Sequence, residues 1–292
     1  MSFLLALLSA FSHSLNNLSV RVYQKNFQIN TADFRLFQSV KSLLTCVGYL
    51  LLSGFCLRID GLGLSLALCY GLDLAITSIL IAVCYSCGPM SVTSVISNAC
   101  VVMPIAVGCL IYNETMTATR ILGCVCLAGC FLLSAINRGE KKTDIQPKWY
   151  LLVFLAFVCN GMGAVLLNIY GRVAGSGERN TFLAIGYFVS ALIYLADHGR
   201  LIHTTGPVKL RGFLKPLLGV LILVSALGGF AGNGLLMSLN TAMPASVLYP
   251  LVNGGIAVIV TIASCVVFHE KMTLQRFFTI LLGLAAIVTL NL

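Results

Sequence analysis

Apolar runs follow one another along almost the whole chain and are separated by short polar stretches. A helix needs ~20 mostly apolar residues to cross a bilayer. The pattern predicts ten such helices, near residues 2–23, 33–56, 62–86, 89–112, 117–137, 148–171, 180–197, 213–237, 243–268 and 273–291. Only the connections 137–148 and 197–212 are long and polar. The chain is therefore predicted to be an all-α membrane protein with ten transmembrane helices.

The two halves of the chain repeat each other. Residues 89–123 align with 245–279 without a gap, and the junction NETMTATR (113–120) falls on HEKMTLQR (269–276). The prediction divides the chain into a first five-helix repeat, 1–137, a polar connection, 138–147, and a second repeat, 148–292. Because five is odd, the repeats must cross the membrane in opposite directions. Such inverted repeats are common in secondary transporters, where the substrate site lies near the midplane between them.

Composition supports this interpretation and argues against a nucleic acid as partner. The chain of 292 residues is 59% hydrophobic and only 9% charged, whereas soluble domains carry roughly 25% charged residues. The net charge of +9 comes from basic residues scattered among short loops, which suits anionic lipid headgroups and not a nucleic acid. Most of the 12 cysteines sit within apolar runs, where they are expected to pack as small apolar residues. No metal site and no cofactor is predicted.

Three features carry a family resemblance: the five-plus-five layout, the duplicated E-x-M-T-x-x-R junctions, and the small-residue starts of the fourth and ninth helices, GPMSVTSVISN and MPASVLYPLVN. They resemble the drug/metabolite transporter superfamily, in particular its two-repeat EamA-like branch, over nearly the whole chain. The resemblance implies a secondary transporter of the plasma or inner membrane with both termini in the cytoplasm. The excess of Lys and Arg in connections 1–2, 5–6, 7–8 and 9–10 predicts instead that both termini are outside.

Asp73 is the clearest candidate for a functional charge in the membrane. It lies eleven residues into the third predicted span, about 16 Å deep at 1.5 Å per residue. Tyr70 and Thr77 share its helical face. Ionisable groups at this depth usually face a cavity or a partner. Asp73 is either a proton-coupling carboxylate, a counter-charge for a substrate amine, or one member of a structural ion pair.

Lys41 belongs to a polar stripe on the second span that also contains Arg35, Gln38 and Thr45. Arg35 is expected to be solvated near the interface. Lys41, about 12 Å deep by the same rise, either snorkels toward the surface or stays inside. In the second case Asp73 on the next helix is its expected partner, since pairing lowers the cost of burying both charges.

Further polar residues are placed so that both halves would contribute to one cavity. His13 and Asn17 form a polar turn in the first span, and Asn160 is the repeat mate of His13. An inter-helix hydrogen bond is the alternative for such residues. The fourth and ninth spans add Ser94, Asn98, Tyr249 and Asn253, and Pro250 should weaken the ninth helix locally. The candidate substrate or coupling residues are Asp73, His13, Lys41, Asn17, Tyr70, Thr77, Ser94, Asn98, Asn160, Tyr249 and Asn253.

Glu114 and Glu270 are predicted to be structural. Each precedes a helix by three residues, with Thr117 or Thr273 as the N-cap, so the carboxylate would meet a positive helix end.

No catalytic constellation or nucleotide-binding loop is visible. The sequence favours a secondary active transporter, an exporter or exchanger of a small polar metabolite such as an amino acid, acting by alternating access and coupled to protons. It would work in the lipid bilayer as a monomer or homodimer. The alternatives are a membrane-embedded enzyme, and a channel-like or structural membrane protein without carrier activity.

Overall fold

The computed structural model describes residues 1–26, 31–87, 93, 96–135, 147–205, 216–267 and 273–290. Within these ranges the chain forms ten α-helices and one 3-10 turn, and no strand. The helices are α1 (Ser2–Asn26), α2 (Thr31–Leu52), α3 (Gly61–Cys87), α4 (Val102–Ile111, preceded by the 3-10 turn Ala99–Val101), α5 (Ala118–Ala135), α6 (Lys148–Val173), α7 (Ser176–Thr205), α8 (Pro216–Leu239), α9 (Ala245–Val267) and α10 (Leu274–Thr289).

Six of the described helices are long and apolar enough to cross a membrane: α1, α3, α6, α7, α8 and α9. Three apolar helices are shorter: Ile96–Ile111, Ala118–Leu133 and Leu274–Thr289. The helix α2 is long enough, but Arg35, Lys41 and other polar residues lower its hydropathy. The protein is therefore an all-helical, multi-pass membrane protein, and a helix occupies each of the ten positions that the apolar pattern predicted.

Local signals in the sequence set several helix ends. Thr273 accepts a hydrogen bond from the Arg276 amide (3.3 Å) and caps α10, as predicted. Thr117 likewise accepts a hydrogen bond from the Arg120 amide at the start of α5. Asp60 Oδ1 accepts the Gly63 amide at the start of α3 (2.9 Å). After α4, Asn113 adopts a φ of 52°, a left-handed conformation that asparagine tolerates better than most residues.

The two halves interleave and do not form separate lobes. Among the described residues, the main packing partners of the first-half helices lie in the second half: α1 packs on α8 and α9, α2 on α7 and α8, α3 on α6 and α7, α4 on α6 and α9, and α5 on α10. Residues of both halves also form one buried apolar cluster, which includes Tyr70, Leu127, Phe182 and Leu248. The core therefore lies between the halves.

Contacts between side chains also fix which helix ends lie together. Ser9 Oγ donates to the Gly232 carbonyl and Ser225 Oγ to Asn16 Oδ1, so α1 and α8 are antiparallel. A Cβ built at Gly123 would meet Leu290, which places the end of α10 beside the start of α5. The face that carries the start of α1, the end of α10 and the loop 112–117 is called the termini face below.

Two expectations about the helices need correction. The helix α7 continues through Asp197 and His198, where a polar connection was predicted. Its extension is held by α2: Arg35 Nε lies 2.8 Å from Asp197 Oδ2, and His198 Nδ1 lies 2.7 Å from the Ala32 carbonyl. Arg35 is consequently buried, with a side chain only 3% exposed. The prediction that it is solvated near the interface is wrong.

The predicted local weakening at Pro250 does not interrupt the ninth helix, since α9 runs through this residue without a break. Pro250 sits in the second turn of α9, which begins at Ala245, so its missing amide affects only the carbonyl four residues earlier, in the first turn.

Candidate functional site

A cavity of about 590 Å³ lies between the two halves. Its walls come from α1, α2, α3, α6, α7, α8 and α9, with Cys100 of the 3-10 turn. The lining extends from Tyr70 and Leu167, which are buried, to Gln24 and Phe34, which lie at the facing ends of α1 and α2. Gln24 is exposed. The cavity therefore opens on the side opposite the termini face.

Nine of the candidate residues line this cavity. They are His13, Asn17, Lys41, Tyr70, Asp73, Thr77, Asn160, Tyr249 and Asn253. Helical spacing explains why five of these residues face the same space. Tyr70, Asp73 and Thr77 recur on one face of α3, and Tyr249 and Asn253 lie one turn apart on α9.

Asp73 forms the acidic wall of the cavity. Its carboxylate reaches across from α3 to α6, where Gly163 offers no side chain: a Cβ built at Gly163 would lie 2.5 Å from Asp73 Oδ2. Nearby, Asn160 Nδ2 donates to the Ser97 carbonyl (2.8 Å) and ties α6 to the start of the fourth helix. The acidic wall is thus built from both halves of the chain.

Lys41 and His13 form a second, basic wall of the cavity. His13 packs on Gly232 of α8, where a built Cβ would lie 2.8 Å from His13 Cδ2. The expected ion pair between Lys41 and Asp73 is not formed, and neither residue has another ion-pair partner within the described ranges. Both face the cavity instead. The cavity consequently presents an amine and a carboxyl group to whatever enters it.

Several polar atoms in the walls have hydrogen-bonding capacity left. Thr77 Oγ1 and Gln38 Oε1 are buried and have no partner among the described residues, although Gln38 Nε2 donates to Ser78 Oγ (3.3 Å). Buried polar groups in proteins are almost always satisfied by protein or by water. These atoms are therefore suited to bind a polar molecule or water in the cavity.

Asn98 differs from the expectation that it faces the cavity. Asn98 is half-buried and is not part of the cavity lining. Cys100 is buried, as expected, and also lines the cavity. Cys100 belongs to the 3-10 turn, which has about three residues per turn, so its side chain and that of Asn98 point in different directions. Ser94 lies outside the described residues.

Other lining residues do not stand out in the sequence. Ser78 and Tyr194 belong to the cavity wall, and the Tyr194 hydroxyl donates to the Leu74 carbonyl (3.0 Å). Serine and tyrosine are common in apolar helices, and no pattern separates these two from the rest. Asn16 lines the cavity too, and it accepts the inter-helix hydrogen bond from Ser225 (2.6 Å).

Packed residues close the cavity toward the termini face. Beyond Tyr70, the rings of Phe182 and Tyr170 continue a stack with centroid separations of 5.4 and 4.7 Å. Asn168 Nδ2 donates to Asn240 Oδ1 (2.8 Å), and both side chains are buried. This layer separates the cavity from the loop 112–117.

Glu114 lies in that loop and is held by three contacts. Its carboxylate accepts the amides of Ala245 (2.9 Å) and Ser246 (3.0 Å) and pairs with Arg172, whose guanidinium also lies 4.0 Å from the centre of the Tyr112 ring. Burial acts to raise the pKa of Glu114, but the hydrogen bonds from Ser246, Ala245 and Arg172 outweigh it, so the pKa is lower than usual. Glu114 therefore stays ionised at neutral pH.

The carboxylate does meet a positive helix end, but this end is the start of α9 in the other half of the chain. The helix that follows Glu114 in sequence, α5, is capped by Thr117 instead. The prediction assigned Glu114 to the wrong helix start, because spacing along the chain reveals only neighbours in sequence. Glu270, the repeat mate of Glu114, lies outside the described residues.

Comparison with known proteins identifies the fold but no family. No family model matches the sequence, and no curated protein matches it either. Among solved structures 28 chains match. One crystal structure superposes with a TM-score of 0.76 and 11% sequence identity, covering 100% of this chain and 98% of its own. At this identity the likeness concerns the fold alone.

Proposed function

We propose that this protein is a secondary active transporter of a small polar metabolite such as an amino acid, an exporter or exchanger that works by alternating access. The observation that carries the proposal is the cavity of about 590 Å³, which both halves line and whose lining runs out to the exposed Gln24 on the side opposite the termini face. A site at the interface of two repeats, closed on one side by packed residues, is the arrangement that alternating access requires.

The proposal includes the architecture of ten spans in two inverted five-helix repeats. The packing supports it, because exchanging each helix with its mate five positions on maps the main contacts onto one another. The pair α1 and α8 becomes α6 and α3, α1 and α9 becomes α6 and α4, and α3 and α7 becomes α8 and α2. The pairs α2–α7, α4–α9 and α5–α10 map onto themselves, as pairs on a two-fold axis do. Membership of the EamA-like branch of the drug/metabolite transporters is part of the same proposal.

The separated charges favour a substrate with both a cationic and an anionic group. Asp73 would receive an ammonium group, and Lys41, with the amide groups of Asn16 and Asn17 on the same lining, would receive a carboxylate. A buried charge is stable only when it is paired, so a zwitterion would satisfy both walls at once. No nucleotide-binding motif is present in the sequence, so a proton gradient would supply the energy. Proton exchange at Asp73, with His13 as the second candidate, would couple transport to that gradient.

The experiment that tests the proposal begins with the purified protein and a library of small polar metabolites. We expect a zwitterionic compound to raise the melting temperature and to show saturable, gradient-dependent uptake into proteoliposomes. Uptake that rises linearly with concentration would indicate a channel, and conversion of the compound would indicate an enzyme.

A further inference from the structure

Polar side chains continue from the closed end of the cavity to the termini face, through packing that is otherwise apolar. The Tyr249 hydroxyl donates to the Ala164 carbonyl (2.8 Å). One turn further along α6 comes Asn168, bonded to Asn240, and one more turn leads to Arg172. Asn168 Oδ1 is buried without a partner among the described residues. Unsatisfied polar atoms are costly at membrane depth, so this row of polar groups is expected to have a role beyond packing. The row, called the polar file below, consists of Tyr249, Asn168, Asn240 and Arg172.

Glu114 closes the outer end of this file. The loop 112–117 belongs to the first half, whereas the groups that hold its carboxylate, the first amides of α9 and the Arg172 guanidinium at the end of α6, belong to the second. The side chain of Glu114 is only 8% exposed. Its departure would leave two amides and a guanidinium without their acceptor, so separation of α4, α6 and α9 at this face has to break all three contacts together.

We infer that Glu114 is the latch of a gate that closes the central cavity toward the termini face. When the carboxylate leaves α9 and Arg172, the end of α6 and the start of α9 separate. Water then enters the polar file at Asn168 and Asn240. The same two helices carry Asn160, Tyr249 and Asn253 on the cavity wall, which connects the latch to the site. The inference rests on the proposed function, because it assigns the latch to the closed side of a carrier.

A second carboxylate on the same face provides a matched control. Glu178 Oε2 accepts the Gly175 amide (2.8 Å), which completes half of a capping box at the start of α7. This contact is exposed and joins residues three positions apart. It therefore stabilises a helix end in the way Glu114 does, but it cannot hold two helices of different halves together.

The test measures access to the polar file from one side. Asn240→Cys is reconstituted in proteoliposomes, and a membrane-impermeant maleimide is added outside or enclosed inside. Mass spectrometry of the peptide that contains position 240 reports the labelling rate, so the native cysteines do not interfere. Thr115→Cys, in the exposed loop 112–117, identifies the termini face in each preparation.

We expect Glu114→Gln to raise the labelling rate from the termini face by roughly tenfold, as the loss of a charge-assisted hydrogen bond would. Arg172→Gln should raise the rate by less, because the bonds from Glu114 to α9 remain. Glu178→Gln should leave it unchanged. A local structural role for Glu114 would lower the melting temperature without changing access from that side.

Unchanged labelling in both Glu114→Gln and Arg172→Gln, in folded protein, overturns the inference. If Glu114→Gln does not fold, the result for Arg172→Gln decides. The proposed function fails by a different observation, namely the absence of saturable uptake in the unmodified protein. Faster labelling in Glu114→Gln would then still show that this carboxylate controls access to the polar file.

Discussion

The carboxylate of Asp73 on α3 lies directly against Gly163 on α6, on the side where any other residue would carry its Cβ atom. A Cβ built at Gly163 would lie 2.5 Å from Asp73 Oδ2, well inside van der Waals contact. Glycine at this position allows the charged group of one half to reach the backbone of the other half. The acidic wall of the cavity depends on this contact.

Gly163→Ala should displace Asp73 and weaken substrate binding. The added methyl group has to push the carboxylate aside, and overpacking of this kind typically costs about 1–3 kcal/mol. We expect the stabilising effect of the bound compound on the melting temperature to fall sharply, with the helix content unchanged. Gly219→Ala on α8 is the control, because nothing lies within 4 Å of a Cβ built there. Equal binding by both variants would show that the Asp73–Gly163 contact does not shape the site.

Asp73→Asn should abolish accumulation driven by a pH gradient and leave substrate exchange partly intact, since the amide keeps the shape of the site and cannot exchange a proton. Uptake into proteoliposomes with and without an imposed pH gradient measures both activities. Asp60→Asn, at the exposed start of the same helix, should behave as the unmodified protein. If Asp73→Asn still responds to the gradient, the carboxylate is not the coupling group.

Asp197→Asn should destabilise the protein by about 3 kcal/mol, because it leaves Arg35 as an uncompensated charge in the α2–α7 interface. The melting temperature in detergent should fall clearly. Replacing both partners, with Arg35→Met and Asp197→Leu, should recover most of the loss, since an apolar pair of similar volume is often neutral. Arg200→Gln, exposed one turn nearer the end of α7, should change stability by less than about 0.5 kcal/mol. Similar losses in Arg200→Gln and Asp197→Asn would contradict the assignment.

Glu114 should make the stability of the protein depend on pH in the acid range. Its pKa in the folded protein is below the usual 4.5, so the ionised carboxylate favours the folded state. This contribution is complete above about pH 4.5 and is lost as the pH falls through the lower, folded-state pKa. The melting temperatures of the unmodified protein and Glu114→Gln should therefore differ at pH 7 and converge in acid. A constant difference across this range would show that ionisation of Glu114 does not matter.

The positions of the helices were predictable from the sequence because an apolar run of membrane length has few alternatives to a helix. The faces of α3 and α9 were predictable too, since helical spacing fixes which side chains point the same way. For this reason the spacing alone assigns Tyr70, Asp73 and Thr77 to one surface, and Tyr249 and Asn253 to another.

The partners of charged groups were not predictable, because they lie far away in sequence. Arg35 binds Asp197, and Glu114 binds the start of α9 and Arg172, through contacts between helices of different halves. Lys41 and Asp73 occupy helices that are consecutive in sequence, yet they face the cavity without pairing. Sequence spacing describes one helix at a time, and such contacts depend on how the helices are packed.

The interleaving of the two halves also constrains how the protein is made. Within the described ranges, α1, α2, α3 and α5 have their main partners among helices that are synthesised later, α6 to α10. The first half must therefore wait in the membrane, with the buried Arg35 still without Asp197, until the second half emerges from the ribosome. Termination near residue 137 would leave five helices with few surfaces to pack against and make them a substrate for quality-control proteases. Supplying 148–292 as a separate polypeptide should rescue the first half from degradation.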